Sequence, residues 1–396
     1  MTASNSHSAI DVSGILDWVI DGTPPHQLPA GAIAELCERL VAAGIPLLFG
    51  ASFAWTLHPN VTGGWFQWTR GQGVRMVEKD FGWLDSEECR RSIWYAVADS
   101  GMPVRCRLDD PQSRRGDDML DALRRDGATD IVALPLSALT RRVLASAWAT
   151  DRPGGFTEPM IRALERVTRP LARVVEAHVL ERLSINLLNT YVGRSAGARV
   201  LNGTIRRGGA ETISAAIWLS DLRGSTRWAE TLPPHEYLAL LNDHFDCLVP
   251  AIERQGGEVL KYIGDGVLAI FPLGEHGRDE ACRAALAAEA EARSLTAALN
   301  ARRDAAGLEP IRYGLALHVG EVLYGNIGAA NRLDFTAIGP AVNLAARLGA
   351  LAGELGRDVL LSAEFARHCP EAAQSLGAHR LRGIERPAEI FGLRAL

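Results

Sequence analysis

Apolar residues fall at helical spacing over residues 32–43, where Ile33, Leu36, Leu40 and Val41 share one face and Gly44 and Pro46 close the helix. Strand-like runs follow at 46–57 and 64–69, with Gly63-Gly64 between them. Residues 130–134 read as another strand, closed by Pro135 and Ser137. The run 142–149 reads as a further strand, before the turn Asp151-Arg152-Pro153-Gly154-Gly155. Thr157 then stands at an N-cap position, and Ile161, Leu164, Val167, Leu171, Val174 and Val175 continue at helical spacing. This order predicts an α+β domain over residues 31–178. Residues 1–30 show little periodicity apart from an apolar patch at 15–20, which predicts a flexible arm.

The helical pattern runs on from Met160 towards Val192. Its stripe of Leu171, Val174, His178, Leu180, Leu183, Leu187 and Leu188 suits either pairing with a second copy or packing on its own domain. Residues 179–210 are expected to form a helical linker and hinge, with several glycines in 191–209. Gly193-Arg194-Ser195-Ala196-Gly197 matches the GxSxG nucleophile elbow in letters only, because that turn needs a preceding strand and the residues here are helical.

From Thr212 onward the strands are buried in character. Residues 213–220 are an apolar run ending in Asp221, followed by Leu222-Arg223-Gly224-Ser225-Thr226 and a helix. A carboxylate at a strand end suits a metal at the rim of a sheet. A Gly-Ser-Thr turn into a helix offers backbone N–H groups to phosphate oxygens. Residues 256–263 and 267–271 form a hairpin with Gly264-Asp265-Gly266 at its tip. Lys261 lies inside the first of these apolar strands, where an unpaired ammonium is costly. A third strand over 312–322 leads through Gly325-Asn326-Ile327-Gly328 to residues 334–340. A helix then carries Asn343 and Arg347, four apart and so on one face.

Length and composition narrow the setting. A chain of 396 residues holds two or more domains, and 47% hydrophobic with 22% charged residues supports full cores. A net charge of −5 gives no footprint for nucleic acid. The six cysteines, without CxxC spacing, argue against a disulfide framework or a zinc site and suit a reducing cytoplasm. Residues 1–8 lack the layout of a signal peptide, and the longest apolar stretch, 44–55, is shorter than the roughly 18–20 residues of a bilayer span. A cytoplasmic protein without a transmembrane segment is therefore expected.

The blocks 220–226, 256–271, 317–328 and 335–347 resemble the catalytic domain of class III nucleotide cyclases, over residues 211–396. The resemblance implies an α/β sandwich with a ferredoxin-like core that pairs head to tail, with active sites at the shared interface. It places Asp221 and Asp265 on the metal-binding aspartates and Leu222 as a carbonyl ligand, for two ions of Mg²⁺ or Mn²⁺ per site. Gly224, Ser225 and Thr226 fall on the phosphate-holding turn, although the family often has phenylalanine where Ser225 stands. Lys261 and Thr336 match the pair that reads the purine, and this pair implies ATP rather than GTP. Asn343 matches the ribose-orienting residue and Arg347 the residue that stabilises charge at the transition state. Arg382 stands where the family usually has a triphosphate-binding lysine, within the loosely matching Arg382-Gly383-Ile384-Glu385. Arg312 is a candidate for an arginine expected near the third strand. In the family one subunit gives the metal aspartates and the other gives the purine pair, the asparagine and the arginine. One chain holding all six implies a homodimer with two equivalent sites. The implied function is adenylate cyclase, a lyase forming cAMP and pyrophosphate; a silent nucleotide-binding module is the alternative.

The segment 149–157 and the helix after it resemble a GAF-type sensory domain, which implies a ligand-binding or dimerising module for signal transduction with an unidentified ligand or partner. His58, beside Pro59, and the aromatic set Trp55, Trp65, Trp68, Trp83 and Trp94 are the residues there with ligand-binding chemistry. A structural histidine and a core of tryptophans are the simpler readings.

Overall fold

The computed structural model describes residues 9–21, 29–55, 63–110, 113, 116–136, 144–273 and 277–394. His58 and the ends of two expected strands, at 56–57 and 142–143, lie outside the described residues, as does Ser137. The chain divides into two units, Met1–Thr190 and Tyr191–Leu396.

The first unit runs α1 (Ser13–Asp21), α2 (Pro29–Ala42), β1 (Phe49–Trp55), β2 (Gly63–Thr69), β3 (Gly73–Lys79), α3 (Phe81–Asp85), α4 (Glu87–Arg91), α5 (Ile93–Ser100), β4 (Val104–Arg107), α6 (Asp118–Arg125), β5 (Asp130–Leu136), β6 (Leu144–Thr150) and α7 (Glu158–Val192), whose last residues enter the second unit. The strands form one antiparallel sheet in the order β3-β2-β1-β6-β5-β4. Both faces are covered, and the alternation of a strand shows it. Val132 and Leu134 point to α1, α2 and α7, while Ile131 and Ala133 point to the core beneath α5 and α6. A mixed sheet–helix unit of this kind is compatible with a GAF-like domain.

Two expectations change here. The arm expected at 1–30 carries helix α1, which buries Ile15 and Val19 in the core together with Val12 just before it. Strand β5 continues through Pro135 to Leu136 instead of ending before it. The turn 151–155 is fixed by one buried group. Asp130 is fully buried, pairs with Arg105 at 2.8 Å and accepts the Phe156 N–H at 2.9 Å. Gly155 has φ +69°, and a Cβ there would lie 2.5 Å from the Asp130 carboxylate, so only glycine fits.

The second unit runs α8 (Arg194–Leu201), β7 (Ala210–Leu222), α9 (Ser225–Thr231), α10 (Pro234–Arg254), β8 (Glu258–Ile263), β9 (Gly266–Pro272), α11 (Gly277–Ala305), β10 (Tyr313–Ala329), β11 (Arg332–Ile338), α12 (Pro340–Glu354), β12 (Val359–Ser362), α13 (Ala363–Ala366), β13 (Ala373–His379) and β14 (Ala388–Leu393). The sheet order is β13-β14-β12-β10-β7-β9-β8, with β11 hairpinned onto the far end of β10. Among the described residues, only β10 and β12 pair in parallel. Helices α10 and α11 cover one face and α8 and α12 the other. In central β7, Ala216 and Trp218 face the first pair, and Ala215 and Ile217 the second. This explains why its sequence is an unbroken apolar run.

The hinge expected within 191–209 holds a packed helix. Ala196 of α8 is buried with Ile217, Leu260 and Tyr324. Helices, not a strand, flank Ser195, so the GxSxG letters form no elbow. All six cysteines are buried and unpaired. Among the described residues, no helix is long and apolar enough to cross a membrane.

Candidate active site in the second unit

The site starts at the end of β7. The β7–β10 register sets Asp221 opposite Gly314. The Asp221 carboxylate and the Arg223 guanidinium fill the space a Cβ at Gly314 would need. Arg223 reaches Asp221 Oδ2 at 3.4 Å and donates to the Arg357 carbonyl at 3.1 Å. Asp265, at the tip of the β8–β9 hairpin, accepts the Leu222 N–H at 3.0 Å. That bond brings the two aspartates, 44 residues apart in sequence (265 − 221), to one corner of the sheet. Partial burial raises the Asp221 pKa; Arg223 pulls it down and the Asp265 charge pushes it up again. Two crowded carboxylates, one of them disfavoured as an anion, form a site that gains from a cation. Among the described residues no group of three or more His, Cys, Asp or Glu gathers. A hard cation held there would complete its oxygen shell from backbone and substrate.

After Asp221 the chain turns at Gly224, which caps α9 with Ser225 and Thr226 in the first turn. The first N–H groups of α9 have no partner within the helix. The Arg223 N–H bonds the Arg312 carbonyl at 2.8 Å and fixes the entry to this turn. The Arg312 side chain pairs outward with Asp358 at 2.7 Å.

A second constellation forms where the β10–β11 hairpin meets β8. Strands β7 and β9 separate β8 from β10 in the sheet, a span of about 14 Å. Even so, the Tyr324 hydroxyl of β10 donates to Glu258 of β8 at 2.7 Å, and Lys261 of β8 pairs with Asp334 of β11. The hairpin therefore curls over the sheet face. Tyr324 also packs edge-on against Phe335 at 4.8 Å and lies 3.4 Å from Ser195 of α8. Asp334 and Thr336 are two apart on β11 and so point to the same side. The Thr336 hydroxyl is buried and has no hydrogen-bond partner.

Asn343 and Arg347 lie on α12, one turn apart. Neither side chain has a hydrogen bond or ion pair among the described residues. Arg347 lies beside Gly383, which follows the exposed Arg382. The structure thus joins Asp221 to Asp265 and Leu222, Lys261 to the Thr336 strand, and Arg347 to the 382–383 turn. Sequence reading missed Arg223, Asp334, Tyr324 and Glu258. Of these only Asp334 carried a signal, as a carboxylate two positions before Thr336.

The family of adenylate and guanylate cyclase catalytic domains matches residues 210–376. The second unit carries a cyclase catalytic domain. Among similar proteins, an adenylate cyclase of Anabaena cylindrica is 34% identical over 190 residues, 48% of this chain and 36% of that protein. Adenylate cyclase 1 of Rhizobium meliloti is 30% identical over 177 residues, 43% of this chain and 26% of that protein. The matched part of this chain thus spans about a third or less of these relatives. The crystal structure of the adenylyl cyclase CyaB from P. aeruginosa is 26% identical with a TM-score of 0.44, covering 47% of this chain and 96% of that one. The cyclase domain here has its metal-suited carboxylates on β7 and the β8–β9 turn, and its unpartnered polar groups on β11 and α12.

Proposed function

We propose that the chain is an adenylate cyclase that converts ATP to 3′,5′-cyclic AMP and pyrophosphate as a homodimer. The observation that carries the reading is the buried, unpartnered Thr336 hydroxyl on the strand whose Asp334 holds Lys261. A buried hydroxyl without a partner costs about 1–3 kcal/mol, and a ligand group that bonds it recovers that loss. Thr336 accepts from the exocyclic amine of adenine, and Lys261 donates to a ring nitrogen.

Asp221, Asp265 and the Leu222 carbonyl would hold two divalent ions, Mg²⁺ or Mn²⁺. When bound, such ions neutralise the triphosphate and acidify the ribose 3′-hydroxyl. The turn from Gly224 to Thr226 offers N–H groups to phosphate, and Arg382 lies ready for the β- and γ-phosphates. Asn343 orients the ribose. Arg347 meets the charge that develops on the α-phosphate. The 3′-oxygen attacks the α-phosphorus in line, its proton leaves to water, the bond to the β-phosphate oxygen breaks, and pyrophosphate departs. Positioning and charge neutralisation account for the rate, as in phosphoryl transfer generally.

The dimer is supported by the surface of the same strands. Tyr262 and Ile263 on β8, Leu323 on β10, and Leu333 and Ile338 on β11 are exposed large apolar residues beside the candidate base-reading residues. Each site would combine Asp221 and Asp265 of one subunit with Lys261, Thr336, Asn343 and Arg347 of its partner, and the first unit would set the rate. Purified chain with Mn²⁺ and ATP should release cyclic AMP and pyrophosphate, and Asp265→Ala should abolish this. Product from GTP with none from ATP overturns the substrate assignment.

A further inference from the structure

The first unit encloses a cavity of about 310 Å³ between the β1–β3 end of its sheet and helices α3–α6. Its wall is mostly apolar and aromatic, with Phe49, Trp65, Val77, Trp83 and Trp94 among the lining residues. The rings are organised: Trp65 meets Trp83 edge-on at 5.2 Å and Trp94 at 5.8 Å. Aromatic pairs of this geometry offer further edges and faces to an added ring.

The polar groups of the wall are unevenly satisfied. Lys79 lies over the Trp65 and Trp83 rings and pairs with Glu88 at 2.7 Å, and Glu88 also accepts the Trp83 indole N–H at 3.1 Å. That pair is neutral and complete. The Trp65 indole N–H is not: it is buried, in a side chain 4% exposed, with no hydrogen-bond partner. Arg75 of β3 spends its Nε on Gln67 at 3.0 Å and has no carboxylate partner among the described residues. Asp118 and Asp126, at the two ends of α6, also line the cavity and have no cationic partner among the described residues. The cavity therefore has spare donors on its sheet wall, spare acceptors on its α6 wall, and a set of aromatic rings.

We propose that this cavity is a binding site for a free aromatic amino acid. The aromatic ring joins the tryptophans, the carboxylate meets Arg75 and the Trp65 N–H, and the ammonium meets one of the two α6 carboxylates, Asp118 or Asp126. An anion alone leaves the α6 carboxylates unmatched, and a cation alone leaves Arg75 and the Trp65 N–H unmatched. The volume lies at the low end of ligand sites, roughly 300–1,000 Å³, which favours a one- or two-ring ligand. This site lies wholly within the first unit, and its occupation does not depend on the cyclase reading.

Equilibrium dialysis of the full chain tests it, with L-phenylalanine, L-tyrosine and L-tryptophan as probes and phenylacetate and phenethylamine as analogues lacking one charge. At least one amino acid should bind saturably below about 1 mM. Each phenyl analogue should bind about tenfold or more weaker than the best amino acid. Arg75→Gln, at an exposed position, should weaken the amino acid and phenylacetate but not phenethylamine; Asp118→Asn with Asp126→Asn should weaken the amino acid and phenethylamine but not phenylacetate. No saturable binding by any of the three amino acids, an analogue that binds as well as the best of them, or binding unchanged in Arg75→Gln overturns the proposal.

Discussion

His244, on α10, is fully buried beside the Asp265 backbone, and neither ring nitrogen makes a hydrogen bond of normal geometry among the described residues. Burial drives its pKa down to about 4, against an opposing pull from Asp265. The folded chain therefore keeps the ring neutral while the unfolded chain protonates it near pH 6.5. Stability falls as pH drops from about 6.5 to about 4, by up to about 3 kcal/mol from this one group. His244→Phe should show a smaller drop in urea midpoint between pH 7 and pH 4.5 than the natural chain; an equal drop counts against the assignment. Asp221 is the opposite case of strain. Its raised pKa means that the anion is disfavoured in the fold, so the stability cost is present at neutral pH and disappears as pH falls through the raised value. Asp221→Asn should raise the thermal midpoint of metal-free protein while removing cyclase activity. Sequence alone marked Asp221, Asp265 and Lys261 as residues with chemistry. It could not pair Lys261 with Asp334, 73 residues further along, because that pairing depends on how the hairpin curls.

At the scale of elements, the buried Asp130 explains a turn that the sequence displayed without its cause. The letters 151–155 showed a turn, but the carboxylate that fills it comes from β5. Gly155→Ala should cost about 3 kcal/mol in urea unfolding, through the strained φ and the clash with Asp130. Full stability in that variant would mean that the turn relaxes freely. Long, strongly periodic elements such as α2, α7 and β7 were legible, because each has one face or both faces against a core. Strand β3 and helices α3–α6 were not. β3 is half-exposed along its length, and α3 and α4 are 5 residues each, too short for a period to register. Helix α8 was hidden for another reason: its glycines suggested looseness, yet Ala196 and Gly197 are buried, small residues that let the helix sit close to the sheet. Tyr324 binds that helix to both strands of the second constellation. Tyr324→Phe should raise the KM for ATP with a smaller effect on kcat, read by steady-state kinetics, since the hydroxyl that anchors β8 is lost and the ring against Phe335 remains.

Over the whole molecule, the proposed function needs two chains. Mixing Asp221→Ala with Arg347→Ala, each inactive alone, should restore part of the activity, because one of the two sites in a mixed dimer then has all its groups. No recovery, with mixed dimers shown to form, would sink the shared-site arrangement. The exposed Leu180, Leu187 and Tyr191 on the second half of α7 leave room for a further contact between copies. Two or more domains were expected from the length of 396 residues alone. The content of the first part was less legible, since its cavity is assembled from residues of seven different elements.

Strand β10 is 17 residues long and unbroken, with Gly314 opposite Asp221 at one end and Gly325 opposite Thr336 near the other. Strand pairing comes in whole steps: a slip of one position would turn Leu315, Leu317 and Val322 from core to the opposite face. The two halves of the chemistry are thus ruled on a single scale with integer marks. A signal reaching this domain cannot fine-tune their spacing by sliding the strand; it can only bend the strand or carry it as a whole.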